Sequence, residues 1–424
     1  MKIIHVNFDG CHGGAAIAAK RINTGLQKIG VNSEMWVARN ADTGNAIYCI
    51  KGKFFQKLDG LKNILVQRLA GILKLGTCRS YNIFPSRLVE QLNASDADVI
   101  HLHWVNAEMV SIAQLAKIKK PVVWTLHDMW AFCGGEHYTT DERYITGYQS
   151  QTEQTAKPKT QSSFDIDQWI YRRKQKHWKN WHPLIITPSN WLRQCAEESL
   201  LFRDLNVSTI PNCVDLDVFK PQNMSDCRDK HHLPIDKKII LFGAVNPSDE
   251  RKGGDLLADA LSSIKNKDEY AVAIFGQKRS GNFGEIDTYW LGSISSEKTL
   301  SEIYNCADLF CVPSRMDNLP NTAVEATACG VPVIAFDVGG LSDIVEHQVN
   351  GYLAKPFDPA DLAAGIDWVA AKQEASNTGT SKGRNLSEAG RQKAEQDYHN
   401  NHVAELYLEK YQECISSHAD QACT

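Results

Sequence analysis

Short apolar runs alternate along the chain with longer stretches of helical period. Residues 3–6 read as a strand, a turn carrying Gly10, Gly13 and Gly14 follows, and residues 15–29 repeat with a helical period. Residues 99–104, 122–126 and 184–187 continue the strand series. After about residue 208 the pattern restarts, with strands at 238–242, 272–275, 289–293, 309–312 and 331–336. Single apolar strands separated by helices predict a parallel sheet covered on both faces. Two such series predict two doubly wound α/β domains, 1–207 and 208–402, joined near Pro211-Asn212-Cys213-Val214-Asp215. Residues 139–163 and 372–386 are rich in polar residues with few apolar anchors and read as surface loops. A last helix is expected from about 403.

Length agrees with this division, because 424 residues exceed what one core of roughly 250–300 residues usually holds. Apolar residues at 43% and charged residues at 23% exclude a wholly disordered chain. The net charge of −4 is too mild to suggest a nucleic-acid binder, so no nucleic-acid partner is expected. The charge is unevenly spread, however: residues 1–210 carry +8 and the remainder −12. Twelve cysteines without a CxxC pair argue against a zinc site or a disulfide framework and for reduced thiols in the cytoplasm. No run approaches the roughly 20 apolar residues of a membrane-spanning helix, and the first residues are too short an apolar run for a signal peptide.

The segment from Asp308 to Ile334 reads as strand, loop, helix, tight turn and strand. Pro320 suits the first turn of a helix, where its missing N–H costs nothing. Asn321 and Thr322 then lie where backbone N–H groups and the helix dipole favour an anion. Asp317 before the helix and Glu325 inside it are spaced to reach opposite ends of one ligand whose phosphates lie between them. A plain crossover with surface acids has the same pattern. Gly13 and Gly14 would permit close approach of backbone to a phosphate or sugar, or would simply turn the chain. No full GxGxxG accompanies them, which disfavours a nicotinamide cofactor. His127 ends a strand at the edge where such sheets bind ligands, and a neutral imidazole there could polarise a hydroxyl or be structural. Asp128 reads as a cap or as a group orienting a histidine, and His101 and His103 as structural.

Asp317-x7-Glu325, with Pro313-Ser314 before it and Gly330-Val331-Pro332-Val333-Ile334 after it, resembles the EX7E signature of family-4 glycosyltransferases. The likeness extends to Pro211-Asn212-Cys213-Val214-Asp215, Arg251-Lys252-Gly253-Gly254-Asp255, Tyr304-Asn305-Cys306-Ala307-Asp308 and Trp124 to Trp130, the last similar to a branch serving exopolysaccharides such as colanic acid. This resemblance implies the GT-B fold: two Rossmann-like domains facing a central cleft, with a C-terminal helix at about 403–424 packed back on the first. It implies a retaining transfer of a sugar from a nucleotide-diphosphate sugar to a saccharide or lipid-linked acceptor. Glu325 would bind the ribose and Asp317 the donor sugar's hydroxyls. Asn318, Leu319, Pro320, Asn321 and Thr322 would line the diphosphate and sugar, and Gly13 and Gly14 would touch the donor phosphate. His127 would sit over the reacting sugar. Asp317 stands where the family usually has Glu. The family's Gly-Arg after the first strand of this domain is Gly243-Ala244 here.

Charge builds on the leaving diphosphate, so Lys252 is the cation this chemistry asks for, with Arg251 a substitute for the absent arginine. Asp165-Ile166-Asp167 and Asp215-Leu216-Asp217 have DxD spacing by chance, so neither a metal nor another cofactor is expected, including at Cys133. Residues 51–79 carry a basic stripe with apolar residues at helical spacing, compatible with an anionic membrane surface or with ordinary packing. Trp169 to Trp181 form a second such candidate. The expected location is the cytoplasm, with peripheral contact on the inner face of the plasma membrane. Rival readings are a nucleotide-sugar epimerase on the same fold, a phosphorylase, a solute-binding protein and a catalytically dead sensor.

Overall fold

The computed structural model describes residues 1–50, 79–149, 165–246, 249–277, 285–377 and 385–423, together with Ile64 and Arg68. The chain divides into two compact units, Met1–Ile210 with Ala404–Thr424, and Pro211–Val403.

The N-terminal unit is built on seven parallel strands: β1 (Lys2–Asp9), β2 (Asn32–Arg39), β3 (Ile47–Cys49), β4 (Val99–Leu102), β5 (Val122–Thr125), β6 (Leu184–Thr187) and β7 (Val207–Thr209), in the order β3-β2-β1-β4-β5-β6-β7. β4, β5 and β6 are buried at every position, as expected of strands covered on both faces. The helix Asn400–Cys423 adds Tyr407, Tyr411 and Cys414 to this unit, the Cys414 thiol donating to the Val122 carbonyl.

The C-terminal unit carries six parallel strands: β8 (Lys238–Gly243), β9 (Tyr270–Phe275), β10 (Thr288–Gly292), β11 (Leu309–Val312), β12 (Val333–Phe336) and β13 (Gly351–Ala354), in the order β10-β9-β8-β11-β12-β13. Alternate residues feed two cores. Ile239, Leu241, Phe310, Val333 and Ala335 pack on one face with Ala323, Val324 and Ala326 of the helix Asn321–Ala328. Ile240, Phe242, Leu309, Ile334 and Phe336 pack on the other with Leu362 and Ile366 of the helix Pro359–Asn377.

Two readings need correction, and a third is decided between its alternatives in favour of packing. Residues 139–149 are anchored, because Tyr144 and Tyr148 are buried and Tyr148 stacks on Tyr171; residues 150–164 lie outside the described residues. Residues 372–377 complete the helix Pro359–Asn377 rather than starting a loop. The basic-aromatic segment folds inward: in the helix Ile166–Trp178 the side chains of Tyr171, Lys174 and Trp178 are buried, and Trp178 and Trp181 join Trp124 in an aromatic cluster. The stripe at 51–79 lies almost wholly outside the described residues; its last cation, Arg79, is tied to Asp167 by two hydrogen bonds of 2.9 Å. Among the described residues no helix is long and apolar enough to cross a membrane.

Candidate active site

In the C-terminal unit the chain runs outward from β8 through β9 and β10, then returns to β11 on the other side of β8. Strand order therefore reverses between β8 and β11, and the loops leaving their carboxyl ends diverge there. Such a switch point is where open α/β sheets bind ligands. The loop after β8 ends in the 3-10 turn Glu250–Lys252, where the Arg251 N–H donates to Asp249 Oδ1 at 3.0 Å. This turn is docked onto the loop after β11. The Arg315 N–H donates to the Arg251 carbonyl at 2.8 Å, and Arg315 also pairs with Asp255 at 2.5 Å. Gly253 makes the approach possible: its φ is +67°, and a Cβ there would lie 1.8 Å from the Pro313 carbonyl oxygen.

The docking sets an acid between two bases. Lys252 Nζ donates to Asp317 Oδ2 at 2.5 Å, Ser314 Oγ donates to the same oxygen at 3.2 Å, and Arg251 Nη1 lies 3.5 Å from Asp317 Oδ1. Arg251 also donates to the Met316 carbonyl at 2.9 Å. Asp317 is 6% exposed. Burial alone would raise its carboxyl pKa. The charges of Lys252 and Arg251, with the hydrogen bonds from Lys252 and Ser314, hold it below the ordinary value.

Pro320 caps the helix Asn321–Ala328 instead of forming its first turn, because its ψ of 121° is extended. Asn318, Leu319 and Pro320 are buried, whereas Asn321 and Thr322 are partly exposed. Asn212 Nδ2 steadies this corner by donating to the Leu319 carbonyl and to Asn321 Oδ1, at 3.0 and 2.9 Å. Glu325 is 2% exposed and accepts a 2.8 Å hydrogen bond from the Tyr304 hydroxyl on the helix Glu297–Asn305. The roles of Asn212, Ser314 and Tyr304 were not legible, although each lies inside or beside a segment of the resemblance. A groove of about 410 Å³ lined by Pro221, Asn305, Gly330 and Arg391 lies at the amino ends of β11 and β12, away from this chemistry.

The N-terminal sheet reverses between β1 and β4. The loop after β1 is organised by Asp9, which sequence reasoning passed over. Its Oδ1 accepts from the Cys11 and His12 amides at 3.0 and 2.9 Å, and its Oδ2 from Arg39 and Asn40 at 2.7 and 2.9 Å. Burial opposes ionisation of Asp9, and these donors outweigh it, so its pKa is lowered. Gly13 follows with a φ of +93° and caps the helix Gly14–Lys28, whose first residue is Gly14. His127 lies just past β5, half-buried, and shares a 3.0 Å hydrogen bond with His103. Burial lowers its pKa to about 4, so the ring is neutral at pH 7. Asp128 serves a different histidine: it bonds His137 at 2.6 Å and accepts from Trp104 and from the Trp130 amide.

Asp165 and Asp167 are accounted for by structure, the first as a helix cap and the second by Arg79. Asp215 accepts from the Asp217 amide. Two groups among the described residues have ligand atoms close enough to share an ion: His5 with His101 and His103, and Asp9 with Cys11 and His12.

Two family models match the sequence, Glycosyltransferase Family 4 over residues 12–218 and Glycosyl transferases group 1 over residues 225–393. Curated relatives include D-inositol 3-phosphate glycosyltransferases from Nocardiopsis dassonvillei, 30% identical over 38% of this chain and 42% of that protein, and from Mycolicibacterium smegmatis, 33% identical over 38% and 39%. The chain thus spans less than half the length of the curated relatives it matches. Among solved structures, Anabaena HepE in complex with UDP-glucose covers 98% of this chain and 100% of its own, at 16% identity and a TM-score of 0.66. Sucrose-phosphate synthase from Thermosynechococcus elongatus covers 98% and 100%, at 18% identity and a TM-score of 0.64. Matched by one glycosyltransferase model in each half, and sharing its fold with solved glycosyltransferases along nearly its whole length, the chain has the GT-B fold and is similar to the family-4 glycosyltransferases.

Proposed function

We propose that this chain transfers a sugar from a nucleotide-diphosphate sugar to a saccharide or lipid-linked acceptor, with retention of configuration, in the synthesis of a cell-surface polysaccharide of the exopolysaccharide kind. The observation that carries this reading is the contact of partly exposed Lys252 with buried Asp317 at the β8/β11 switch point, beside the start of the helix Asn321–Ala328. Departure of the nucleoside diphosphate concentrates negative charge on its outer phosphate. A fixed ammonium group and backbone N–H groups at a helix start stabilise that charge more than they stabilise the bound donor, which lowers the barrier. Arg251 adds a second positive charge at the same place, and the reaction needs no bound metal or other cofactor on this account.

Asp317 both fixes the Lys252 ammonium and offers a carboxylate to the donor sugar's hydroxyls. Glu325, oriented by Tyr304, takes the ribose hydroxyls, and the backbone from Asn318 to Thr322 lines the diphosphate. Gly13 and Gly14, at the N-terminal switch point, give a backbone surface that a phosphate or sugar can approach closely. His127, neutral at pH 7, donates to or accepts from a sugar hydroxyl without introducing a charge. The solved HepE complex supports the donor class, since its bound ligand is UDP-glucose. We place the protein in the cytoplasm, working at the inner face of the plasma membrane.

Radiolabelled UDP-, GDP- and ADP-sugars offered with and without saccharide acceptors test the reading. Release of nucleoside diphosphate with transfer of label, unaffected by EDTA, is expected. Binding of a donor without any turnover across the panel would leave a sensor instead. NMR of the product reports whether the anomeric configuration is kept.

A further inference from the structure

The N-terminal sheet places four imidazoles together that the sequence keeps up to 122 positions apart, from His5 to His127. His5 on β1 pairs in register with His101 on β4. His103 follows two residues later on the same face, and His127 leaves the neighbouring strand β5. His5 and His103 stack with centroids 5.2 Å apart, and His103 and His127 with centroids 5.3 Å apart. His5 Nδ1 and His103 Nε2 share a hydrogen bond of 2.9 Å; His103 Nδ1 and His127 Nε2 share one of 3.0 Å. His101 is committed elsewhere, its two ring nitrogens bonded to the hydroxyls of Tyr411 and Thr125 at 2.7 Å each. At the inner end of this relay, His5 Nε2 is buried with no partner among the described residues.

Burial keeps these rings neutral: it lowers His5 to about 3 and His127 to about 4, and holds His103 well below its ordinary value. A neutral imidazole has one N–H and one bare nitrogen. Three neutral rings joined by two hydrogen bonds therefore have only two arrangements. Either all three carry the proton on Nδ1, or all three carry it on Nε2. The ends decide between them. With protons on Nε2, His5 buries an N–H that nothing accepts, whereas with protons on Nδ1 it buries only a lone pair. Orphaned buried N–H groups are the rarer of the two in native structures.

We propose that His103 and His5 are positioning residues that set the tautomer of His127 from within the core, so that its Nε2 accepts and its Nδ1 carries the proton. The proton on His127 is thereby fixed before any ligand arrives, and the side chain is presented as a hydrogen-bond donor through Nδ1. This deepens the proposed role of His127 at a sugar hydroxyl and rests on that reading for its functional consequence, but the tautomer itself does not.

The test is two-dimensional ¹H–¹⁵N correlation of ring-labelled histidines in the full chain, with His127 assigned from its loss in His127→Gln. The expected wild-type pattern is a protonated Nδ1 and a bare Nε2 on His127. In His103→Phe, with the remaining histidine signals retained, His127 is expected to move to a tautomer mixture, and kcat to fall about tenfold with the donor KM within twofold. Should His103→Phe fail to fold, the smaller His103→Leu serves: it removes the same two hydrogen bonds and is expected to release the tautomer preference of His127 in the same way. A protonated Nε2 on wild-type His127 would overturn the proposal. So would an unchanged His127 pattern in the variant that folds, or one equivalent of tightly bound metal that His5→Leu abolishes. Because the spectra need no substrate, a failure of the glycosyltransferase reading leaves them interpretable.

Discussion

The two sheets reverse strand order at equivalent places, yet they build different chemistry there. The C-terminal switch point is ionic: Lys252 and Arg251 converge on Asp317, and all three belong to loops leaving adjacent strands. At the N-terminal one the groups that meet at His127 are neutral: histidines are stacked beneath the strand ends, while the ion pair there, Asp9 with Arg39, is spent on holding the loop at Gly13. A charged pair suits stabilising charge that appears during a reaction, whereas neutral donors and acceptors suit holding hydroxyl groups. The same scaffold thus supplies two kinds of site, and the difference lies in which side chains its diverging loops carry.

The sharpest way to break this contrast is to remove the cation. Lys252→Met should lower kcat by about 10²–10³, in the range of losing one fixed donor to developing charge. Steady-state kinetics on the accepted donor checks this, and a loss confined to KM would move Lys252 from charge stabilisation to plain binding.

A second contrast is in pH. His5 and His127 are neutral when folded, with pKa values lowered to about 3 and about 4, and near 6.5 when unfolded. Below pH 6.5 the unfolded state binds more protons, so each neutral histidine costs about 1.4 kcal/mol of stability per pH unit until its folded pKa is reached. Asp317 has the same slope in a lower window: its stabilisation is complete above the ordinary carboxyl pKa and is lost only as the pH falls below it. Between pH 6.5 and 5, hydrogen exchange corrected for its intrinsic rate should accelerate in β1 and β4 more than in β8 and β11. Equal acceleration in both sheets would contradict the contrast.

The smallest effect concerns Tyr304. Tyr304→Phe deletes one hydroxyl donor to buried Glu325, and should weaken nucleoside diphosphate affinity about fivefold, near 1 kcal/mol. Calorimetry reads this directly, and unchanged affinity would separate Glu325 from the ribose.

Legibility followed the same division. The segment 308–334 is contiguous, so its strand, helix and acids could be read together, and the strands with four consecutive buried residues were read within a residue or two of their ends. Pro332 shows why one boundary slipped: expected inside the strand, it precedes β12, which starts at Val333. β3, β7 and β13 escaped because they are short edge strands, and β2 because Ser33 and Glu34 interrupt its apolar positions. The imidazole stack was invisible for another reason. His5, His103 and His127 come from three strands, and nothing in their local sequence sets their register. Gly253 was read only as part of a motif, since its close approach to Pro313 exists only once the two loops are docked.

In the proposed reaction Lys252 and the start of the helix Asn321–Ala328 hold the diphosphate of an activated sugar. A crystal structure with the donor chosen by the sugar panel, or with UDP-glucose if several bind, tests it most directly. The diphosphate is expected in contact with Lys252 Nζ and with backbone N–H groups between Asn318 and Thr322, and the ribose on Glu325. A diphosphate bound elsewhere, with the Lys252–Asp317 pair undisturbed and out of its reach, would contradict it.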